Sequence, residues 1–476
     1  MPAGGFAFGP YQLDPRAKRL LRDGTPVVLA GRQFELLAAL VTQAGQIVSN
    51  DDLIREAWGD IAVGDNSLAQ AVSHLRAQLD PAQPRRFIAN VRGRGYRFVW
   101  PVTRHAIREG DAMFDELLGP GRALTSGRAA LETLKRDEIA RARATFAHLV
   151  TLDADEPMYH VGLANACVLQ FAASRASAMP DRESLRLAIH HAREACRLAR
   201  DYAEAWATLG FVLECAGQRA DAIAALQRAL RLDPDNVAHN LRFASASWGD
   251  GRRRAAEKVL KLHPGLSLAC VLVATIYIAK AVLDEADREL NVGLATLRGT
   301  SGASSRYPVV GLYWLKGLLC LSRANDDEGV TWLERELALE EQGHFLANEC
   351  SANAWYAIGA CRLRQGDESA ARAAFEEALT RAPRHPMVQA GLALASRGTF
   401  VDPPAGPLSV DIAMAKAAVM ADGGNFEGAI ALVSDALLAA PEGNAGWLIP
   451  VDPLLNVHRH PDAWAPVLAK VRERAG

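Results

Sequence analysis

The chain has 476 residues, half of them hydrophobic and 23% charged, with a formal net charge of −2 at pH 7. Such a chain can bury large cores and should form a soluble globular protein of at least two structural units. Its most apolar window, Leu266 to Ile278, is too short for a bilayer span of about 20 residues, and its seven cysteines show no CxxC pair or metal-ligand spacing, which excludes a disulfide or zinc framework. Met1-Pro2-Ala3-Gly4-Gly5 does not lead from a basic segment into an apolar run, so no signal peptide is expected and a cytoplasmic setting follows. The charge is uneven. Residues 1–104 hold 13 Lys+Arg against 9 Asp+Glu, whereas the remainder holds 40 against 46.

In chain order, the first helix is predicted from about Gly31 to Gln43. Ser49, followed by Asp51 and Asp52, has the character of an N-cap with acidic first-turn residues, and starts a second helix that ends near Trp58-Gly59. The third helix spans Asn66 to Leu79. Its apolar residues Leu68, Val72, Leu75 and Leu79 recur at helical spacing, which buries one face and leaves Gln70, Ser73, His74 and Arg76 outward. Asp80-Pro81 stops it. Two β-rich runs follow, Phe87 to Val91 and Tyr96 to Val99, joined by Arg92-Gly93-Arg94-Gly95, whose glycines can take the positive φ of a tight turn. Residues 61–104 carry seven arginines and two aspartates, a concentration suited to releasing counterions from phosphates.

These residues carry a resemblance. Phe6 to Pro101 looks like the winged-helix output domain of OmpR/PhoB-type response regulators. Phe6-Ala7-Phe8-Gly9, Leu20 to Gly24 and Val27-Val28-Leu29 match its N-terminal strands, Phe34-Glu35-Leu36-Leu37 its first helix, and Val48 to Ile54 with Ala57-Trp58-Gly59 its second. Leu75-Arg76 and Val91-Arg92-Gly93 to Gly95-Tyr96-Arg97-Phe98 complete the match. The resemblance implies binding to double-stranded DNA, with Gln70, Ser73 and His74 facing base edges, Arg76 touching a phosphate, and Asn90, Arg92, Arg94 and Arg97 forming a basic wing. Ala69-Gln70-Ala71 stands where the family often carries charged residues, so the domain assignment holds while the family's target sequence does not carry over. The domain is assigned to residues 1–104, a linker to 105–126 around Leu117-Leu118-Gly119-Pro120-Gly121, and a helical region to 127–476.

That helical region contains a repeat. Trp206, Leu209, Gly210, Ala222, Leu226, Ala229 and Pro234 have the spacings of Trp355, Ile358, Gly359, Ala371, Phe375, Ala378 and Pro383, every pair offset by 149 residues. The pattern resembles the tetratricopeptide repeat, a helical pair of about 34 residues in which small residues let helices approach and a proline ends the second. Weaker copies follow at Cys270, Ala274, Ala286, Leu290 and Gly293, at Tyr313, Gly317, Gly329 and Leu333, and at Ala417, Ala429, Val433, Ala436 and Pro441. Three Gly-, Ser- or Pro-rich interruptions, Ser174 to Ser184, Gly299 to Pro308 and Gly398 to Ser409, are read as surface loops. Trp447 to Ala475 is expected to cap the last repeat. The fold class is therefore mainly α, an N-terminal winged helix-turn-helix followed by an α-solenoid.

His190-His191 and His458-x-His460 lack a carboxylate or thiolate set, so no metal or cofactor is expected. No GxxxxGK[ST], GxSxG or HExxH occurs, and an enzyme is not expected. Only five residues precede Phe6, so no receiver is expected ahead of the winged helix. The layout resembles one-component regulators, including invasion-gene activators, that join such a domain to tetratricopeptide repeats. Two readings remain: a sequence-specific transcription regulator whose repeats sense a protein, peptide or small molecule and govern self-association into a homodimer, or a protein-interaction scaffold whose winged helix is a docking module. The expected ligand face is the concave side lined by Trp206 to Cys215 and Trp355 to Arg364, where Arg362 and Arg364 are either ligand contacts or solvated.

Overall fold

A computed structural model describes the chain except for residues 1–4, 16–17, 24, 28, 30, 59–64, 81–85, 92, 106–111, 300–310 and 402–408. The chain divides into two compact units, Met1–Gly119 and Pro120–Gly476. In chain order the first contains β1 (Gly5–Phe8), β2 (Tyr11–Asp14), β3 (Arg19–Arg22), β4 (Thr25–Pro26), α1 (Gly31–Thr42), β5 (Ile47–Val48), α2 (Asn50–Trp58), α3 (Asp65–Leu79), β6 (Ile88–Val91), β7 (Gly95–Phe98) and β8 (Thr103–His105).

Two sheets result, one ordered β4-β3-β2-β1-β8 and a smaller one ordered β5-β7-β6, with antiparallel pairing throughout. Period-2 alternation along the strands sends Phe6, Phe8, Tyr11 and Leu13 inward. There they meet Leu36, Leu37 and Leu40 of α1 and the apolar face of α3 in one buried core. Phe8 is its aromatic centre, with ring centroids 5.3 Å from Tyr11 and 5.0 Å from Phe98; such pairs add to simple burial.

The second unit is helical. The segment expected as a linker, residues 105–126, contains much of a helix, α4 (Ala112–Glu132), with Pro120 inside it. After α5 (Arg136–Leu152), helical pairs follow: α6 (Pro157–Ser174) and α7 (Arg182–Leu198), α8 (Ala203–Cys215) and α9 (Arg219–Leu232), α10 (Val237–Ala246) and α11 (Gly249–Leu262), then α12 (Ser267–Ala279). Then come α13 (Leu283–Gly299), α14 (Leu312–Ser322), α15 (Asp326–Leu337), α16 (Ala347–Arg364), α17 (Glu368–Arg381), α18 (Pro386–Ala395), α19 (Val410–Asp422), α20 (Phe426–Ala439) and α21 (Pro461–Arg474). The interruption after Ser174 is a loop, while the other two fall largely outside the described residues. Among the described residues no helix is long and apolar enough to cross a membrane.

Close approach explains the repeat's small residues. A Cβ on Gly210 of α8 would lie 2.4 Å from Leu226 Cγ of α9, and one on Gly359 of α16 would lie 2.7 Å from the Phe375 ring of α17. The even-numbered helices α6, α8, α10, α12, α14, α16 and α18 touch one another in series, so they form one continuous inner face. Part of that face is occupied by the chain itself. The turn Ile449–Val451 packs on α12 and α14, and Trp447 meets Trp314 edge-on at 6.3 Å. Tyr356 donates its hydroxyl to both Asp452 oxygens at 3.0 and 2.9 Å. Arg364 is buried in an ion pair with Asp326, and Arg362 donates to Gln365 Oε1 at 3.1 Å. The expected ligand face near Trp355 to Arg364 is thus partly covered from within.

Candidate nucleic-acid interface

Helix α3 presents two unlike faces. Leu68, Val72, Leu75 and Leu79 are at most 2% exposed, while Gln70, Ser73 and His74 are exposed. Its end is anchored because the Tyr11 hydroxyl donates to the Leu79 carbonyl, one of the last-turn acceptors that no helical N–H can reach. The preceding helix α2 starts as its sequence dictates. The Asp52 N–H donates to Ser49 Oγ at 3.1 Å and the Ser49 hydroxyl donates to the Asp52 carboxylate at 2.7 Å, so both groups at the helix start are satisfied. The Ser49 hydroxyl and then Arg55 hold the Asp52 carboxyl below the usual carboxylate range.

Strands β6 and β7 form the hairpin, with Ile88 opposite Phe98, Ala89 opposite Arg97, Asn90 opposite Tyr96 and Val91 opposite Gly95. Gly93 and Gly95 have φ of +69° and +129°, and the Arg94 N–H donates to the Val91 carbonyl at 3.0 Å to close the turn. Gly95 also answers a second demand, since a Cβ there would lie 2.0 Å from the Val48 carbonyl oxygen of β5. Alternation then sends Tyr96 and Phe98 inward and leaves Asn90, Arg94 and Arg97 exposed. Arg92 lies outside the described residues.

Arg76 occupies a different position from the other candidates. It is half-buried, donates from Nε and Nη2 to the Ile88 carbonyl at 3.1 and 2.9 Å, and lies 5.7 Å from the Tyr96 ring centre. It therefore ties α3 to the hairpin. Arg86 was not anticipated. It sits exposed at the base of the hairpin, 4.5 Å over Trp100 and 3.2 Å from the Asp80 carboxylate; the signal for it was the Arg85-Arg86 pair just before the first β-run.

Elsewhere, His191 Nδ1 lies 2.9 Å from His160 Nδ1, and burial followed by the neighbouring His160 pushes His191 down to about 4. Among the described residues no group of His, Cys, Asp and Glu could hold a metal ion.

Residues 24–98 match the family described as the C-terminal domain of transcriptional regulatory proteins, and residues 203–236 and 352–385 each match a tetratricopeptide repeat. The transcriptional regulator HilA of Salmonella typhimurium is 36% identical over 83 residues, 17% of this chain and 15% of HilA. The transcriptional regulatory protein HprR of Escherichia coli is 34% identical over 89 residues, 18% of this chain and 40% of HprR. The Klebsiella pneumoniae RstA DNA-binding domain, solved in complex with the RstA box, is 32% identical, covers 20% of this chain and 96% of its own, and has a TM-score of 0.18. The matched stretch is thus less than half of either curated relative. The N-terminal unit is an OmpR/PhoB-type winged-helix domain, and tetratricopeptide repeats lie downstream of it.

Proposed function

We propose that this chain is a cytoplasmic, sequence-specific transcription regulator that binds double-stranded DNA through its winged helix and senses a protein, peptide or small molecule through its repeats. In this reading α3 enters the major groove and offers Gln70, Ser73 and His74 to base edges, while the hairpin carries Asn90, Arg94 and Arg97 to phosphates or an adjacent minor groove, and Arg92 is assigned the same role from its place in the sequence. Arg76 holds helix and hairpin in register. Two copies on direct repeats complete the picture, because one winged helix of modest charge binds weakly on its own.

The observation that carries the reading is the pairing of an exposed polar α3 face with an exposed basic hairpin, inside a domain matched to transcriptional regulators. A planar guanidinium on a narrow hairpin suits a groove lined by phosphate. The test is retention of promoter DNA by the full chain in a gel shift at low salt, together with genome-wide mapping of bound DNA in its own host. Discrete bound sites are expected. Absence of any retained DNA would instead support the scaffold reading, in which the winged helix docks a protein.

A further inference from the structure

The inner face of the repeat unit is open at its N-terminal half. A cavity of about 860 Å³ lies among α4, α6, α8, α10 and the segment His344 to Leu346, within the range of small-molecule sites. That segment is fastened in place by its backbone: the Phe345 N–H donates to the Leu134 carbonyl at 3.0 Å, and the Arg136 N–H to the Gly343 carbonyl at 3.1 Å. With one side closed in this way and the next stretch of inner face covered by residues 447–452, the space suits a compact molecule better than an extended chain.

Leu169, Phe211, Leu241, Leu268 and Phe345 give the cavity apolar walls, and Arg175, Arg242 and Glu214 also line it. Arg242 donates to Thr208 Oγ1 at 3.3 Å and to Asn165 Oδ1 at 2.9 Å, and lies 5.4 Å from the Phe211 ring centre. Its guanidinium is therefore preset by three inner helices. Arg175 forms a two-pronged pair with Glu349 at 2.6 and 2.8 Å. The charged groups facing Glu214 are Arg175, Arg219, Arg242 and Arg252, and Cys215 adjoins it.

Charge at this end is out of balance. Arg252 is buried and bonded to neutral oxygens of Ala244, Ser245, Ser247 and Thr275, and Arg219 Nη2 is buried with no hydrogen-bond partner. Among the described residues, the one acid acting on either of them is Glu214. The lining arginines Arg128, Arg175 and Arg242 are matched by Glu132, Glu204 and Glu214, and Glu349 pairs with Arg175. With Arg219 and Arg252 acting on Glu214, five positive groups therefore face four negative ones. An excess of one positive charge beside apolar walls attracts a monoanion with an apolar body.

We propose that this cavity binds an organic monocarboxylate, its carboxylate at Arg242 and its apolar body against Phe211, Leu241 and Leu268. The assignment rests on the reading of the repeats as the sensing part of a regulator. Burial already pushes the Glu214 carboxyl up to about 7, against the pull of its four arginines. A second carboxylate placed nearby raises it further, so Glu214 takes one proton from water and donates the new O–H to the ligand.

Calorimetric titration of the full-length chain with 4-phenylbutyrate and decanoate, at pH 6 and 8 and in buffers of different ionisation heat, tests this. Binding should be up to about tenfold tighter at pH 6, with proton uptake, and 4-phenylbutylamine should bind more weakly than either acid. Glu214→Gln should remove the pH dependence, and Arg242→Ala should weaken binding by more than about tenfold. Ala238→Trp fills the lined space and keeps every charge, so it should abolish binding while the circular dichroism spectrum stays unchanged. The proposal is overturned if neither acid binds at millimolar concentration, if the amine is preferred, or if the pH dependence survives in Glu214→Gln. The same samples are assayed for DNA retention. DNA binding without acid binding removes this site alone, whereas acid binding without DNA binding removes the regulator reading.

Discussion

Arg76 and Arg94 are both arginines of the winged helix, yet their surroundings differ. The Arg76 guanidinium holds the Ile88 carbonyl with two donors, and a charged hydrogen bond of this kind contributes about 1.5–3 kcal/mol. Arg76→Ala is expected to lower the melting temperature and weaken all DNA sites alike through a displaced hairpin, with the salt slope unchanged. Arg94 is exposed at the turn, so Arg94→Ala should leave melting alone and flatten the plot of log affinity against log salt by about one. Thermal melts and DNA titrations across salt separate the two; an unchanged melt with a flattened slope in Arg76→Ala would make it a phosphate contact. Asp452 gives a pH-dependent case. Burial raises its carboxyl to about 6, above the unfolded value of about 3.9. Between those values the folded chain keeps a proton that the unfolded chain has released, so this group makes stability fall as pH rises, with a constant deficit above. Asp452→Asn keeps an acceptor for Tyr356 and for the Leu454 and Leu455 N–H groups, and should stabilise on the order of 2 kcal/mol at pH 8 and little near pH 4. Half-buried His191, His344 and His385, pushed down to about 4 by desolvation, act with opposite sign over pH 4–6.5, so urea melts must compare variant with wild type at each pH.

The hairpin element depends on Gly95 for two reasons, its φ of +129° and its approach to β5. Gly95→Ala should destabilise the winged helix by at least about 1–3 kcal/mol, read as a calorimetric transition that moves down while the repeat transition stays. Equal transitions in both proteins would show that the strand can move away. This element was legible in the sequence because local rules agree there: apolar residues at helical spacing along α3, an N-cap at Ser49, alternation in the β-runs and glycine at the turn. The tetratricopeptide register was legible for the same reason, since Gly210 and Gly359 stand where a neighbouring helix leaves no room for a side chain. Local composition does not report helix continuity at Gly119-Pro120-Gly121, which lies inside α4, nor does it report long-range contacts. The Arg76 tie to Ile88 and the Tyr356 bond to Asp452, 96 residues apart, have no periodic signature, and neither does the cavity beside Glu214.

For the whole molecule, the question is what the repeats add to DNA binding. A net charge of +4 over residues 1–104, from 13 basic and 9 acidic residues, limits the phosphate contacts one winged helix can make. Joining two copies makes the second binding event intramolecular, and a linkage of suitable reach raises apparent affinity by about 10²–10⁴. Full-length chain should therefore sediment as a dimer when bound to DNA carrying two direct half-sites, and should bind that DNA at least tenfold more tightly than DNA with one half-site. A chain truncated after residue 119, the boundary of the first compact unit, should treat the two DNAs almost alike. Half-site spacing provides the control, because moving one copy by half a helical turn, about 5 base pairs, places the two winged helices on opposite faces of the duplex. If full-length chain loses no affinity on that change, and truncated chain matches it on every DNA, the repeats do not join the copies and their role must be sought in ligand sensing alone.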